Sequence, residues 1–263
     1  MSSATLVDTH AHLMDPAFST DLEDVVARAH AAGVTAMVLV GYDLATSRAA
    51  VELARAVPGM RAAVGIHPNS ANQATSDDFA AIQELAAAPE VVAIGETGLD
   101  NYRDFTPLAR QREAFDWHLA LAEARDLPII VHNRQADAQI ADLAAQHAAR
   151  GVLHCFSSDD AAYLERMLDL GFHISFAGPL TFKNAAPTRA MAARVPRERL
   201  LVETDCPYLA PEPHRGQRNE PAFVRNTAAC LAEVIGASLD ELSHTLWSNS
   251  LRLFAGLERA VAA

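Results

Sequence analysis

His10 and His12 close the stretch LVDTHAHL, with Asp8 at the same parity ahead of them. On a β-strand alternate residues point to one face, so this spacing sets two imidazoles side by side. Burying such a pair uncompensated is costly, whereas a divalent cation compensates it directly. Four further metal-competent side chains stand at or just beyond other apolar runs: Glu96 after VVAIG, His132 after PIIV, His154 after GVL and Asp205 after LLVET. Six imidazole and carboxylate donors exceed the set a tetrahedral zinc uses, which points to a two-cation site. The chemistry expected of it is metal-assisted hydrolysis.

Donors this far apart in the chain meet only if the fold gathers strand ends. Apolar runs rich in Val, Ile and Leu begin at Thr5, Val34, Arg61, Val91, Leu127, Gly151, Gly171 and Leu200, roughly 20 to 35 residues apart. Their continuous apolar character suits parallel strands buried on both faces. Helical segments lie between them. SDDFAAIQELAAA opens on a Ser/Asp cap candidate, and TPLARQREAFDWHLALAEARD places Leu108, Phe115, Leu119 and Ala122 near a 3.6-residue period. Gly33, Gly151 and Gly171 stand where helices should stop. The pattern predicts an α/β fold, a (β/α)8 TIM barrel, as one domain over residues 1–263. In such a barrel all C-terminal strand ends share one face, where Glu96, on the fourth strand, is placed to bridge two ions. A doubly wound open sheet is the competing arrangement.

The net charge is −12 and Lys183 is the only lysine, so broad coating of nucleic acid is not expected. Capture of a strand end, with bound cations supplying positive charge, stays compatible. Cys155, Cys206 and Cys230 lack zinc-knuckle spacing and fit a reducing compartment. No basic and apolar leader precedes the first run, and no run spans a bilayer, so a cytoplasmic protein without membrane association is expected. Nothing in the sequence calls for an obligate protein partner.

The motifs DTHAHL, GIHPN, IGETGLDNYRD, PIIVHNR, HCFS, SFAGPLTFKNA, ETDCPYLAP and HRGQRNEP occur in this order along the chain. Together they resemble the TatD-like metal-dependent deoxyribonucleases of the amidohydrolase superfamily, over essentially the whole length. The resemblance implies that His10, His12, Glu96 and Asp205 hold one divalent ion and that Glu96, His132 and His154 hold a second. It further implies hydrolysis of phosphodiesters at DNA strand ends by a 3′-to-5′ exonuclease, with RNA also compatible. Many amidohydrolases place a carboxylated lysine where this chain has Glu96, as the TatD group does. The departures are small: HNRQA lacks the acidic residue that often follows the arginine, and DTHAHL carries an alanine. Neither removes a ligand.

Asp205 is the expected proton acceptor and Glu96 the shared catalytic carboxylate. The metals are Mg, Mn or Zn, since imidazole with carboxylate suits zinc or manganese while magnesium prefers more oxygen. Candidate substrate contacts are His67 as a donor to a phosphate oxygen, Arg134, Lys183, Arg215 as a backbone clamp together with Arg218, and Tyr208 as a stacking ring. Arg134 has a structural alternative, an ion pair with Asp100 or Asp104. His118 reads as a solvated or core histidine. The same metal barrel could instead cleave a small amide, ester or lactone, and the acidic charge mildly favours that. A metal-stabilised scaffold is the non-enzymatic alternative.

Overall fold

The computed structural model describes residues 5–258. Eight strands, β1 (Leu6–Ala11), β2 (Val34–Val40), β3 (Met60–Val64), β4 (Val91–Asp100), β5 (Ile129–Arg134), β6 (Gly151–Leu153), β7 (His173–Phe176) and β8 (Leu200–Val202), form one parallel sheet in sequential order. The intervening helices are α1 (Leu22–Ala31), α2 (Leu44–Ala56), α3 (Ser76–Leu85), α4 (Leu108–Arg125), α5 (Asp137–Ala144), α6 (Ala161–Asp169) and α7 (Ala186–Ala192), with α8 (Val224–Val234) and α9 (Leu239–Leu253) after the last strand. This is the (β/α)8 barrel, and the open-sheet competitor falls on one observation. Ala11 bridges Cys206 in parallel, His12 N–H donates to the Cys206 carbonyl and Asp205 N–H donates to the His10 carbonyl, both at 2.9 Å. That seam joins the end of β1 to the chain just after β8.

Two apolar layers hold the barrel. One lies between strands and helices and includes Leu6, Met37, Met60, Ile94, Phe115, Leu119, Ile129 and Phe176. The other draws Val7, Val38, Ala63, Val92, Ile130, Val152 and Leu201 from seven strands onto Leu253, Phe254 and Leu257. Only an enclosed interior lets seven strands meet one short segment, so the chain after α9 plugs the end opposite the site. Arg61, near the start of β3, donates to the Gly256 carbonyl there at 3.1 Å. Burying a side chain such as Phe254 stabilises by ~1.5–3 kcal/mol.

Three local expectations change. The cap of α3 is Thr75, reciprocally bonded with Asp78, and Ser76 is already inside the helix. Gly33 and Gly171 follow α1 and α6 with φ of 87° and 89°, as helix-stopping glycines should. Gly151 instead begins β6, where any side chain would collide with the Ile129 carbonyl. In α4, Phe115, Leu119 and Ala122 are buried, but Leu108 is exposed at the barrel mouth. No described helix is long and apolar enough to cross a membrane.

Candidate active site

The mouth gathers its polar groups around one carboxylate. Glu96 Oε1 lies 2.9 Å from His154 Nε2, 3.0 Å from His132 Nδ1 and 3.4 Å from His67 Nε2. Its Oε2 lies 3.4 Å from His10 Nε2 and 3.9 Å from His12 Nε2. Asp205 Oδ1 is 3.4 Å from His12 Nε2 and 3.7 Å from His10 Nε2. The six residues expected as ligands are therefore brought together, delivered by β1, β4, β5, the end of β6 and the turn after β8. Close backbone approach makes this possible: a Cβ at Gly98 would strike the His132 carbonyl. Asp205 and Cys155, the residue after His154, hold φ of 59° and 44°, a left-handed backbone that non-glycine residues adopt where a site demands it.

Hydrogen bonds behind the rings decide which nitrogens face inward as lone pairs. His12 Nδ1–H donates to the Val40 carbonyl at 2.7 Å, His154 Nδ1–H to Glu203 Oε1 at 3.1 Å, and His132 Nε2–H to Asp100 Oδ2 at 3.3 Å. Each ring then turns its other nitrogen toward Glu96 or Asp205. Lone pairs aimed at carboxylate oxygens, with His10 Nε2 only 3.2 Å from His12 Nε2, repel one another unless a cation or protons lie between. A divalent cation fits this donor set. His67 is built the opposite way. Its Nδ1 accepts the Asn69 N–H at 3.0 Å, so its Nε2 carries the hydrogen and presents a donor, not a ligand atom. Proximity alone would group His67 with Glu96 and His132 as a ligand trio.

Burial opposes ionisation of the Glu96 carboxyl, but His154, His67, His10 and His132 outweigh it and hold it well below the usual carboxylate range. Burial likewise works against charge on Asp205, and His12 and His10 reverse the balance downward. Burial disfavours the cationic ring at His154, yet Glu96 and Glu203 drive its pKa well up. At His67 burial prevails and depresses the pKa to about 3, so the ring stays neutral.

Several residues hold positions that sequence reasoning missed or misread. Asp8 stays out of the cluster: fully buried, it accepts hydrogen bonds from Thr204 N–H at 2.9 Å and His10 N–H at 3.3 Å, pinning β1 to the chain after β8. Burial pushes its carboxyl up to about 7 despite those bonds. Glu203, two residues before Asp205, is the buried acceptor behind His154 and also takes the Cys155 N–H at 2.8 Å. Its parity with Asp205 was the available signal. Asp100 backs His132 and does not pair with Arg134.

A cleft of about 760 Å³ opens over the cluster, its wall including Tyr42, His67, Arg103, Phe105, Arg134 and Tyr208. Arg134 lies with its guanidinium carbon 4.0 Å from the Tyr102 ring centroid. Tyr208 meets His12 edge-on at 6.2 Å. Lys183 and Arg215 are exposed and form no part of the cleft wall; Arg215 is stacked on Phe182 at 3.6 Å. Arg218 is committed to Asp21 at 2.7 Å and so is structural.

Residues 7–255 match the family model described as TatD related DNase. The uncharacterized metal-dependent hydrolase YabD of Bacillus subtilis is 41% identical over 252 residues, covering 95% of this chain and 98% of its own length. The 3′-5′ ssDNA/RNA exonuclease TatD of Edwardsiella piscicida is 36% identical over 258 residues, covering 95% and 99%. Among solved structures, the TatD homologue YJJV of Escherichia coli superposes with a TM-score of 0.90 at 31% identity, covering 95% of this chain and 98% of that one.

Proposed function

The chain belongs to the TatD-related DNase family and is a metal-dependent hydrolase, and from that premise we propose that it is a 3′-to-5′ exonuclease of DNA strand ends with a two-cation centre. RNA ends are a second substrate of the same class. The observation that carries the reading is the way His12, His132 and His154 each give one ring nitrogen to an acceptor outside the cluster and turn the other toward Glu96 and Asp205. In this reading His10, His12, Glu96 and Asp205 hold one ion, Glu96, His132 and His154 hold the other, and Glu96 is shared. Manganese or zinc suits the imidazole-rich set better than magnesium. Divalent cations in such a site supply Lewis-acid stabilisation of charge on phosphoryl oxygens and acidify water.

The chain's own groups do the rest. The Asp205 carboxylate, held ionised among histidines, accepts the proton of the water that attacks phosphorus. His67 Nε2–H donates to a non-bridging phosphoryl oxygen, a role its locked tautomer and neutral ring favour. Arg134 and Tyr208 both line the cleft, and in this reading Arg134 meets an adjoining phosphate while Tyr208 stacks on a terminal base. Lys183 and Arg215, being off the cleft wall, have no part in this account. The test is metal-dependent shortening of a 5′-labelled single strand from its 3′ end; an untouched strand with hydrolysis of an ester or lactone would replace the reading with small-molecule hydrolysis.

A further inference from the structure

Five large apolar side chains are exposed among the described residues: Tyr102, Phe105, Leu108, Tyr208 and Leu209. All of them stand at the C-terminal ends of β4 and β8, in the connections to the next helix or its first turn. Those strands are opposite one another in an eight-stranded barrel, so the two apolar groups face each other across the Glu96 cluster. Isolated exposed hydrophobes are ordinary, but Phe105, Tyr208 and Leu209 line one cleft from two sides, which marks a binding surface.

The β4 side carries charge as well. The arginines in the cleft wall are Arg103 and Arg134, and both rest on aromatic rings. Arg134 lies 4.0 Å from the Tyr102 centroid, while Arg103 lies 5.4 Å from Tyr102 and 5.9 Å from Phe105. Seven other arginines, Arg28, Arg55, Arg110, Arg150, Arg166, Arg194 and Arg218, pair with carboxylates. Among the described residues, the guanidiniums of Arg103 and Arg134 have neither an ion-pair partner nor a hydrogen-bond acceptor. Ring faces hold them in place and leave their N–H edges free. Phosphate is the ligand those edges fit.

We propose that the β4–α4 loop is a platform for an unpaired polynucleotide strand, with one base stacked on Phe105 and the adjoining phosphate held between Arg103 and Arg134. This rests on the exonuclease reading and deepens it. A phenyl ring offers no hydrogen bond, so the platform accepts any base. Bases inside a duplex have both faces occupied by their neighbours, so a base reaches the platform only from an end or an unpaired strand.

The experiment uses the metal-loaded enzyme on a 5′-labelled single strand, on strands carrying one abasic residue at each of the last four positions, and on bis(p-nitrophenyl) phosphate. The wild type should lose roughly tenfold in kcat/KM when one particular base is missing. Phe105→Ala should lower the ratio of strand to bis(p-nitrophenyl) phosphate kcat/KM by a similar factor, show no further loss at that abasic position, and be rescued by Phe105→Trp. Phe105→Ala matching the wild type on every strand would overturn the platform while leaving the exonuclease intact. A wild type that cleaves no strand but hydrolyses an ester would overturn both. A change in elution mass for Phe105→Ala, with strand kinetics unchanged, would assign the rim to contact between copies and also overturn the platform.

Discussion

Glu203 Oε1 lies 3.1 Å from His154 Nδ1, beneath the cluster and out of reach of solvent. That bond sets the tautomer which leaves His154 Nε2 free to ligate. Glu203→Ala should weaken metal binding by ~10- to 100-fold, with much of the activity restored at saturating metal. Calorimetric titration with manganese checks this; wild-type affinity in the variant would show that His154 does not depend on Glu203.

Asp205 contributes both a ligand atom and the proton acceptor in this account. Asp205→Asn should fold normally and lose ~10²- to 10⁴-fold in kcat. A variant that folds, binds metal and retains more than a tenth of wild-type turnover would move the base elsewhere.

His67 is predicted to act as a hydrogen-bond donor. His67→Phe should lower kcat by ~10²-fold, and His67→Gln, which keeps an N–H, should recover part of it. Loss of metal stoichiometry in His67→Phe, measured by elemental analysis, would instead make His67 a ligand.

His118 links α4 to the segment that carries His67. Its Nδ1–H donates to the Ala114 carbonyl, its Nε2 accepts the Ile66 N–H, and burial lowers its pKa from 6.5 to about 4. The unfolded chain therefore protonates first as the pH falls. The contribution of the neutral ring is complete above about pH 6.5 and is lost progressively toward about pH 4. Between about pH 7 and about pH 5 the stability advantage of the wild type over His118→Gln should shrink by about 2 kcal/mol. Taking the difference cancels the opposing trend from Asp8, whose raised carboxyl pKa destabilises the fold as pH rises. Urea unfolding at the two pH values decides it; an unchanged difference contradicts the assignment.

The cluster is legible in sequence because parallel strands end on one face, so His10, His12, Glu96, His132, His154 and Asp205 each stand at or just after an apolar run. Their orienting partners were harder to see. In sequence Glu203 is one more carboxylate beside Asp205, and an ion pair of Arg134 with Asp100 or Asp104 stands as an alternative because charge complementarity is visible there while cation–π stacking on Tyr102 is not. Parity failed at Asp8 because the register of β1 against β2 shifts between Asp8 and Ala11, which turns side chains of equal spacing to different surroundings. Loop cations were the least readable. Lys183, Arg215 and Arg103 are alike in sequence as loop cations, and only the path of the chain decides which of them meets the cleft.

In the proposed function this cluster binds divalent metal and cuts phosphodiesters at a 3′ end. The most direct measurement is digestion of 5′-labelled single-stranded DNA with chelator, magnesium, manganese or zinc, beside Asp205→Asn protein. The account predicts a ladder shortening from the 3′ end that chelator abolishes, added metal restores and the variant lacks. Intact DNA under every metal, from folded and metal-loaded protein, would contradict it.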